Sequence, residues 1–129
     1  MTQNSRVLLV DADEQVRVLL SRTLLDRDVF CDAAVSARDA LAQLGSRRYA
    51  LMLLRLEMPG VEGVLDCVRS MAVSRRPMVM ITAEIRTSKD AIDTELVQII
   101  IRRPLKIAEV AGMIRACLEF VPDDDQRTT

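Results

Sequence analysis

Residues 51–60 read LMLLRLEMPG, an apolar run interrupted by Arg55 and closed by a Met-Pro-Gly turn. An apolar stretch without period-two polarity fits a strand buried on both faces, and the Pro-Gly pair ends it. Arg55 therefore stands where a buried strand hands over to a loop. The pattern recurs along the chain. RVLLV (6–10) is a first strand, followed by a helix over 14–25 with Val16, Leu19, Leu20, Thr23 and Leu24 at helical spacing and Asp13 as N-cap. VFCDAA (29–34) is a second strand, and Ser36 with Asp39 forms a capping box for a helix to about Leu44, ended near Gly45. The third strand spans 50–56.

Beyond the MPGVEG turn, residues 64–72 carry Leu65, Val68 and Met71 in helical register, and PMVMIT (77–82) is a fourth strand. Ser88 is placed to cap a helix over KDAIDTEL (89–96); VQIII (97–101) is a fifth strand. A last helix over 106–120 turns Val110, Ile114, Cys117 and Leu118 inward. Unalternating strands, each followed by a helix, predict a parallel sheet covered on both faces: a three-layer (βα)5 α/β sandwich. The domain spans 6–121, between an N-terminal tail (1–5) and a C-terminal tail or linker start (122–129, PDDDQRTT without regular pattern). In such sheets the working crevice lies at the carboxyl ends of the strands. That singles out Asp11, Ala12, Asp13, Arg55, Glu57, Thr82, Arg102, Arg103 and Pro104.

Composition narrows the chemistry. Half the residues are apolar but only 2% aromatic, so the core is aliphatic. Eighteen Lys and Arg against nineteen Asp and Glu leave a formal charge of −1, and without Trp there is no platform for stacking bases, which argues against nucleic-acid binding by this domain. Cys31, Cys67 and Cys117 are odd in number and far apart, against a disulfide framework or zinc site; they are expected to be small, mostly buried hydrophobes in a reducing cytoplasm. Met52, Met58, Met78 and Met80 belong to strand and turn packing. No apolar run approaches the ~20 residues that span a bilayer, and the N-terminus lacks a signal-peptide core, so a soluble cytoplasmic protein without a membrane partner is expected. Histidine is absent, which removes imidazole as base, metal ligand or phosphate carrier.

The stretches VLLVDADEQVR (7–17), ALAQL (40–44), ALMLLRLEMPGVEG (50–63), PMVMITA (77–83) and RRPLKIAEV (102–110), in order between Arg6 and Phe120, resemble the receiver domain of two-component response regulators. The resemblance implies a flavodoxin-like fold with strand order 2-1-3-4-5. In that family two acidic residues after the first strand and an aspartate ending the third hold Mg²⁺. The third-strand aspartate takes a phosphoryl group, helped by a Thr or Ser after strand four and a Lys before the proline after strand five. Here Asp11 matches the first acid, Ala12 falls at the second, Arg55 occupies the acceptor position, Thr82 is retained and Arg103 stands at the lysine. Ile100 replaces the aromatic residue that the family uses as a switch.

What the resemblance implies is thus a degenerate pocket of Asp11, Ala12, Asp13, Arg55, Thr82 and Arg103 with no catalytic residue, no cofactor and lost or weak Mg²⁺ binding. Three carboxylates and a lysine suit a divalent cation, whereas Asp11, Ala12, Arg55 and Arg103 sum to one positive charge. A guanidinium offers only donors and cannot be a nucleophile. The expected function is that of a pseudo-receiver, not an enzyme. It would act on a protein partner or a second copy through the face of the fourth helix, fifth strand and fifth helix, with Ile99, Ile100 and Ile101 as interaction surface, two of them also core. Two alternatives remain open: an anion sensor for phosphate or nucleotide using Arg55, Arg103 and Thr82, and a phosphotransfer receiver with a displaced acceptor. For the latter, Asp13 reads as an N-cap and Glu57 as pointing to solvent. Arg55 itself either replaces the metal by pairing with Asp11 or Asp13, or contributes to the anion site.

Overall fold

Five short strands, almost wholly aliphatic, make one parallel sheet in the order β2-β1-β3-β4-β5: β1 (Val7–Val10), β2 (Cys31–Ala34), β3 (Leu51–Arg55), β4 (Met78–Ala83) and β5 (Val97–Arg102). The structure, a computed structural model, describes residues 6–84, 86, 92 and 95–120. Helices α1 (Glu14–Leu25), α2 (Ala37–Ser46), α3 (Val61–Ser70) and α4 (Ile107–Leu118) connect or follow the strands. Most of the helix expected after Ser88 lies outside the described residues.

Successive Cβ atoms of a strand point to opposite faces, so each buried strand feeds two cores. Leu8, Val10, Met52, Leu54, Val79 and Ile81 face α2 and α3, where Ala40, Val61, Val64 and Val68 meet them. Val7, Leu9, Leu51, Leu53 and Met80 face α1 and α4, meeting Leu20, Leu24, Val110, Ala111 and Ile114. Two apolar faces explain the lack of polar alternation, and a three-layer sandwich follows. The register sets Val10 beside Ala34 and Leu54, Arg55 beside Thr82, and Thr82 beside Ile101. The carboxyl ends of the strands are thereby brought level.

Several local expectations are refined. Asp13 caps α1 by accepting from the Gln15 N–H at 2.9 Å, but Leu19 is largely exposed because the inward stripe narrows to Leu20 and Leu24. Ser36 accepts from the Asp39 N–H at 3.1 Å, and Asp39 closes back on the Val35 N–H. Gly45 does not end α2: the helix runs on to Ser46 and stops at extended Arg47 (φ −152°), so no left-handed glycine is required. α3 starts at Val61, ahead of the expected 64, because Gly60 at φ 82° turns the chain directly into the helix. The three cysteines are half-buried, each at the margin of a core instead of inside it.

Gly60 supplies a backbone state that side chains disfavour, and a Cβ there would lie 3.0 Å from Ala37 Cβ. Gly60→Ala is expected to lower unfolding stability by ~1–2 kcal/mol. Urea denaturation would show a reduced midpoint with unchanged slope.

Candidate functional site

Asp11 follows β1 directly, its N–H donating to Ala34 O at 3.1 Å, and its side chain turns into the sheet end at 7% exposure. A buried carboxylate must be paired or hydrogen-bonded, since desolvation is costly. Three donors converge on it. Oδ1 accepts from the Asp13 N–H at 2.9 Å and from Arg55 Nη1 at 3.4 Å; Oδ2 accepts from Arg103 Nη2 at 2.5 Å. Arg103 Nη2 also donates to Thr82 Oγ1 at 3.2 Å, so one guanidinium ties the ends of β1 and β4 together from the loop after β5. The Arg103 side chain is 13% exposed, and its Nε is buried without a partner among the described residues.

Arg55, the last residue of β3, bridges two carboxylates: Asp11 on one side and Glu84 Oε1 at 3.4 Å on the other. Glu84 lies at the rim, 52% exposed. Its N–H donates to Glu57 Oε2 at 3.1 Å and its carbonyl accepts from Arg102 Nη1 at 2.9 Å. Arg17 on α1 secures the other wall by donating to Asp11 O at 2.7 Å.

Asp11, Arg55, Thr82 and Arg103 are therefore assembled into one network. Ala12 and Asp13 are exposed at its edge, the first offering only a methyl group and the second engaged as helix cap. Glu57 is exposed but is not idle in solvent, because its carboxylate fixes the Glu84 backbone. Sequence reasoning missed Glu84, Arg17 and the partner of Arg102. Glu84 stands two residues past Thr82, so extending the strand-end search by two positions would have found it; Arg17, one turn into a helix, carries no such signal. Ile99, Ile100 and Ile101 lie on β5 at the sheet edge. Ile100 packs against the α2–α3 core and the other two against the α1–α4 core, all three partly exposed.

The residues present do not fit Mg²⁺. A hard divalent cation needs several oxygen ligands, whereas both Asp11 oxygens are occupied by cationic or N–H donors and Ala12 has none to give. Among the described residues no group of three or more His, Cys, Asp or Glu could hold a metal. Two of the thiols are poor nucleophiles near neutral pH: burial, reinforced by the Asp32 charge, pushes the Cys31 thiol up to about 11, and burial also raises that of Cys117. What the network can do is hold fixed positive charge and hydrogen-bond donors at the end of the sheet.

Comparison with known proteins gives one family and one fold. The response regulator receiver domain family matches residues 7–115. The chain is 33% identical over 84 residues to the transcriptional regulatory protein ResD of Bacillus subtilis, covering 64% of this chain and 35% of that protein. It is 32% identical over 126 residues to the DNA-binding response regulator MtrA of Mycobacterium tuberculosis, covering 95% of this chain and 54% of that one. The chain thus spans about half or less of these curated relatives. Among solved structures, a signal receiver domain of a response regulator from Bermanella marisrubri superposes with a TM-score of 0.73 at 25% identity, covering 88% of this chain and 98% of that one. The chemotaxis response regulator CheY4 of Vibrio cholerae superposes with a TM-score of 0.73 at 20% identity, covering 92% and 98%.

The two arginines differ in burial, and their removal should differ accordingly. Arg103→Ala leaves Asp11 with its close, desolvated partner gone and is expected to cost about 3 kcal/mol. Arg55→Ala removes a longer, half-open pair and is expected to cost about 1 kcal/mol or less. Urea unfolding of both variants measures the order, which a purely surface role for Arg103 would erase.

Proposed function

The chain belongs to the response regulator receiver domain family, and from that premise we propose a receiver that is not phosphorylated at its third strand and binds a phosphate-type anion at its strand ends. It is a receiver-domain signalling module. The position that ends β3 carries Arg55, which has donors only and no electron pair to attack phosphorus. A displaced acceptor finds no support: Asp13 caps α1 and Glu57 holds the Glu84 N–H.

The observation that carries the anion reading is the convergence of two guanidinium groups on one carboxylate beside Thr82, which leaves a net positive charge at the end of the sheet. Arg forks match phosphate oxygens well. In the resting state the surplus charge is answered by Glu84, whose carboxylate is more than half exposed and 3.4 Å from Arg55. Such a rim pair is worth little. A dianion carries twice the charge of Glu84 and can replace it on Arg55.

A second reading, contact with a protein partner or a second copy, is supported by β5 being the sheet edge with three partly exposed isoleucines, Ile99, Ile100 and Ile101. Both readings are compatible with one module, the pocket taking the signal and the edge passing it on. The family match over 7–115 supports a domain at 6–121.

Calorimetry against inorganic phosphate is expected to show binding by the wild-type chain, weakened about tenfold in Arg55→Gln and strengthened severalfold in Glu84→Gln. Silence of all three proteins at millimolar phosphate would refute the anion reading. Separately, Arg55→Asp alone is expected to stay unlabelled by a small acyl-phosphate donor with Mg²⁺, because Ala12 still withholds a ligand. Normal labelling of that variant would overturn this account of Ala12.

A further inference from the structure

At the opposite end of the sheet, where β3 and β4 begin, a cleft of about 370 Å³ opens between the carboxyl ends of α2 and α3. Its floor is apolar, made by Leu44, Tyr49, Met71 and Pro77; Arg47, Arg48 and Arg75 line it, and no carboxylate does. β3 is five residues long, so this cleft lies ~16 Å from the Arg55 site by strand rise alone.

Helix carboxyl ends attract cations through their unpaired carbonyls, and part of this charge serves that purpose. Arg76 Nε and Nη2 donate to Met71 O at 3.1 Å and Arg69 O at 2.7 Å; Arg48 Nη2 donates to Ser74 O at 3.0 Å. The count does not end there. Arg75 is exposed, and its guanidinium makes no hydrogen bond or ion pair among the described residues. Arg47 reaches only Asp32, at 3.7 Å, a carboxylate that already accepts from Arg6 at 3.2 Å and from the Tyr49 hydroxyl at 2.7 Å. Two guanidinium groups therefore remain in excess of what the helix ends and Asp32 require.

We propose that this cleft is a second binding site, independent of the strand-end pocket, for a small organic phosphate with a flat apolar body. The phosphate would lie on Arg75 and Arg47, whose forks suit its oxygens. The body would lie over Met71 and Pro77, against a floor held in place by the buried Tyr49 ring and its bond to Asp32. A volume near the lower end of ordinary ligand sites suits a ligand of nucleoside monophosphate size. No carboxylate lines the cleft itself, and that of Asp32, behind Arg47 and Tyr49, is already answered by Arg6.

The test is a backbone-amide NMR titration with adenosine monophosphate and, in parallel, with adenosine, on the wild-type chain and on Arg75→Ala. Adenosine monophosphate is expected to shift the amides of Ser46, Tyr49 and Met71, with affinity reduced about tenfold in Arg75→Ala while the spectrum elsewhere is unchanged. Adenosine is expected to leave these amides in place. Shifts of equal size in Arg75→Ala, equal binding of adenosine, or shifts confined to Thr82 and Arg55 would each overturn the proposal. Because the readout is resolved by site, failure of the strand-end anion site would not affect it.

Discussion

The Asp11 carboxylate is the constraint around which the rest of the site is arranged. It is held inside by the chain entering from β1 and cannot remain there alone, since burying an unpaired charge costs more than a small domain can spare. Arg103 answers it at 2.5 Å from beyond β5 and Arg55 at 3.4 Å from the end of β3, so three strands separated in sequence are tied at one point. In a metal-binding receiver a divalent cation would satisfy this demand. Here the neutralising charge is covalently attached, permanent and indifferent to the supply of metal.

Neutralisation by arginines constrains the chemistry open to the pocket. A fixed guanidinium cannot leave, accept a phosphoryl group or lose its proton, so the site keeps its positive charge and its hydrogen-bond donors. Glu84 answers that charge in the structure, held by its backbone to Glu57 and Arg102 but only loosely by its carboxylate to Arg55. Receiver architecture also explains why positive charge gathers at the opposite end. The helices end there on carbonyls, which Arg76 answers at the end of α3 while Arg48 holds the turn at Ser74, whereas Arg47 and Arg75 exceed the need.

Much of the architecture was legible from particular stretches. Unalternating runs such as VLLV and LMLL signal strands buried on both faces because each face meets its own helical layer. Asp13 and Ser36 were readable as caps because short acceptors before an apolar-periodic run have few other uses. Boundaries were less readable where the backbone had two solutions. Gly45 could have closed α2, but Arg47 in an extended conformation did so, and Gly60 opened α3 from a left-handed conformation that the turn motif alone does not specify. Leu19 carried the right spacing and the wrong direction, because the width of an inward stripe depends on what packs against it.

The sequence by itself determined the layered architecture and which residues stand at the strand ends, with Ala12 just after β1 and Arg55 closing β3. Only the tertiary structure decided who pairs with whom. Arg55 is shared between Asp11 and Glu84, Arg103 is the close partner of Asp11, and Glu57 holds a backbone N–H. The reason is physical: periodicity encodes which face a residue occupies, a property of its own segment. An ion pair between residues 11 and 103 depends instead on strand register and on the path of two loops, which exist only once the sheet has formed.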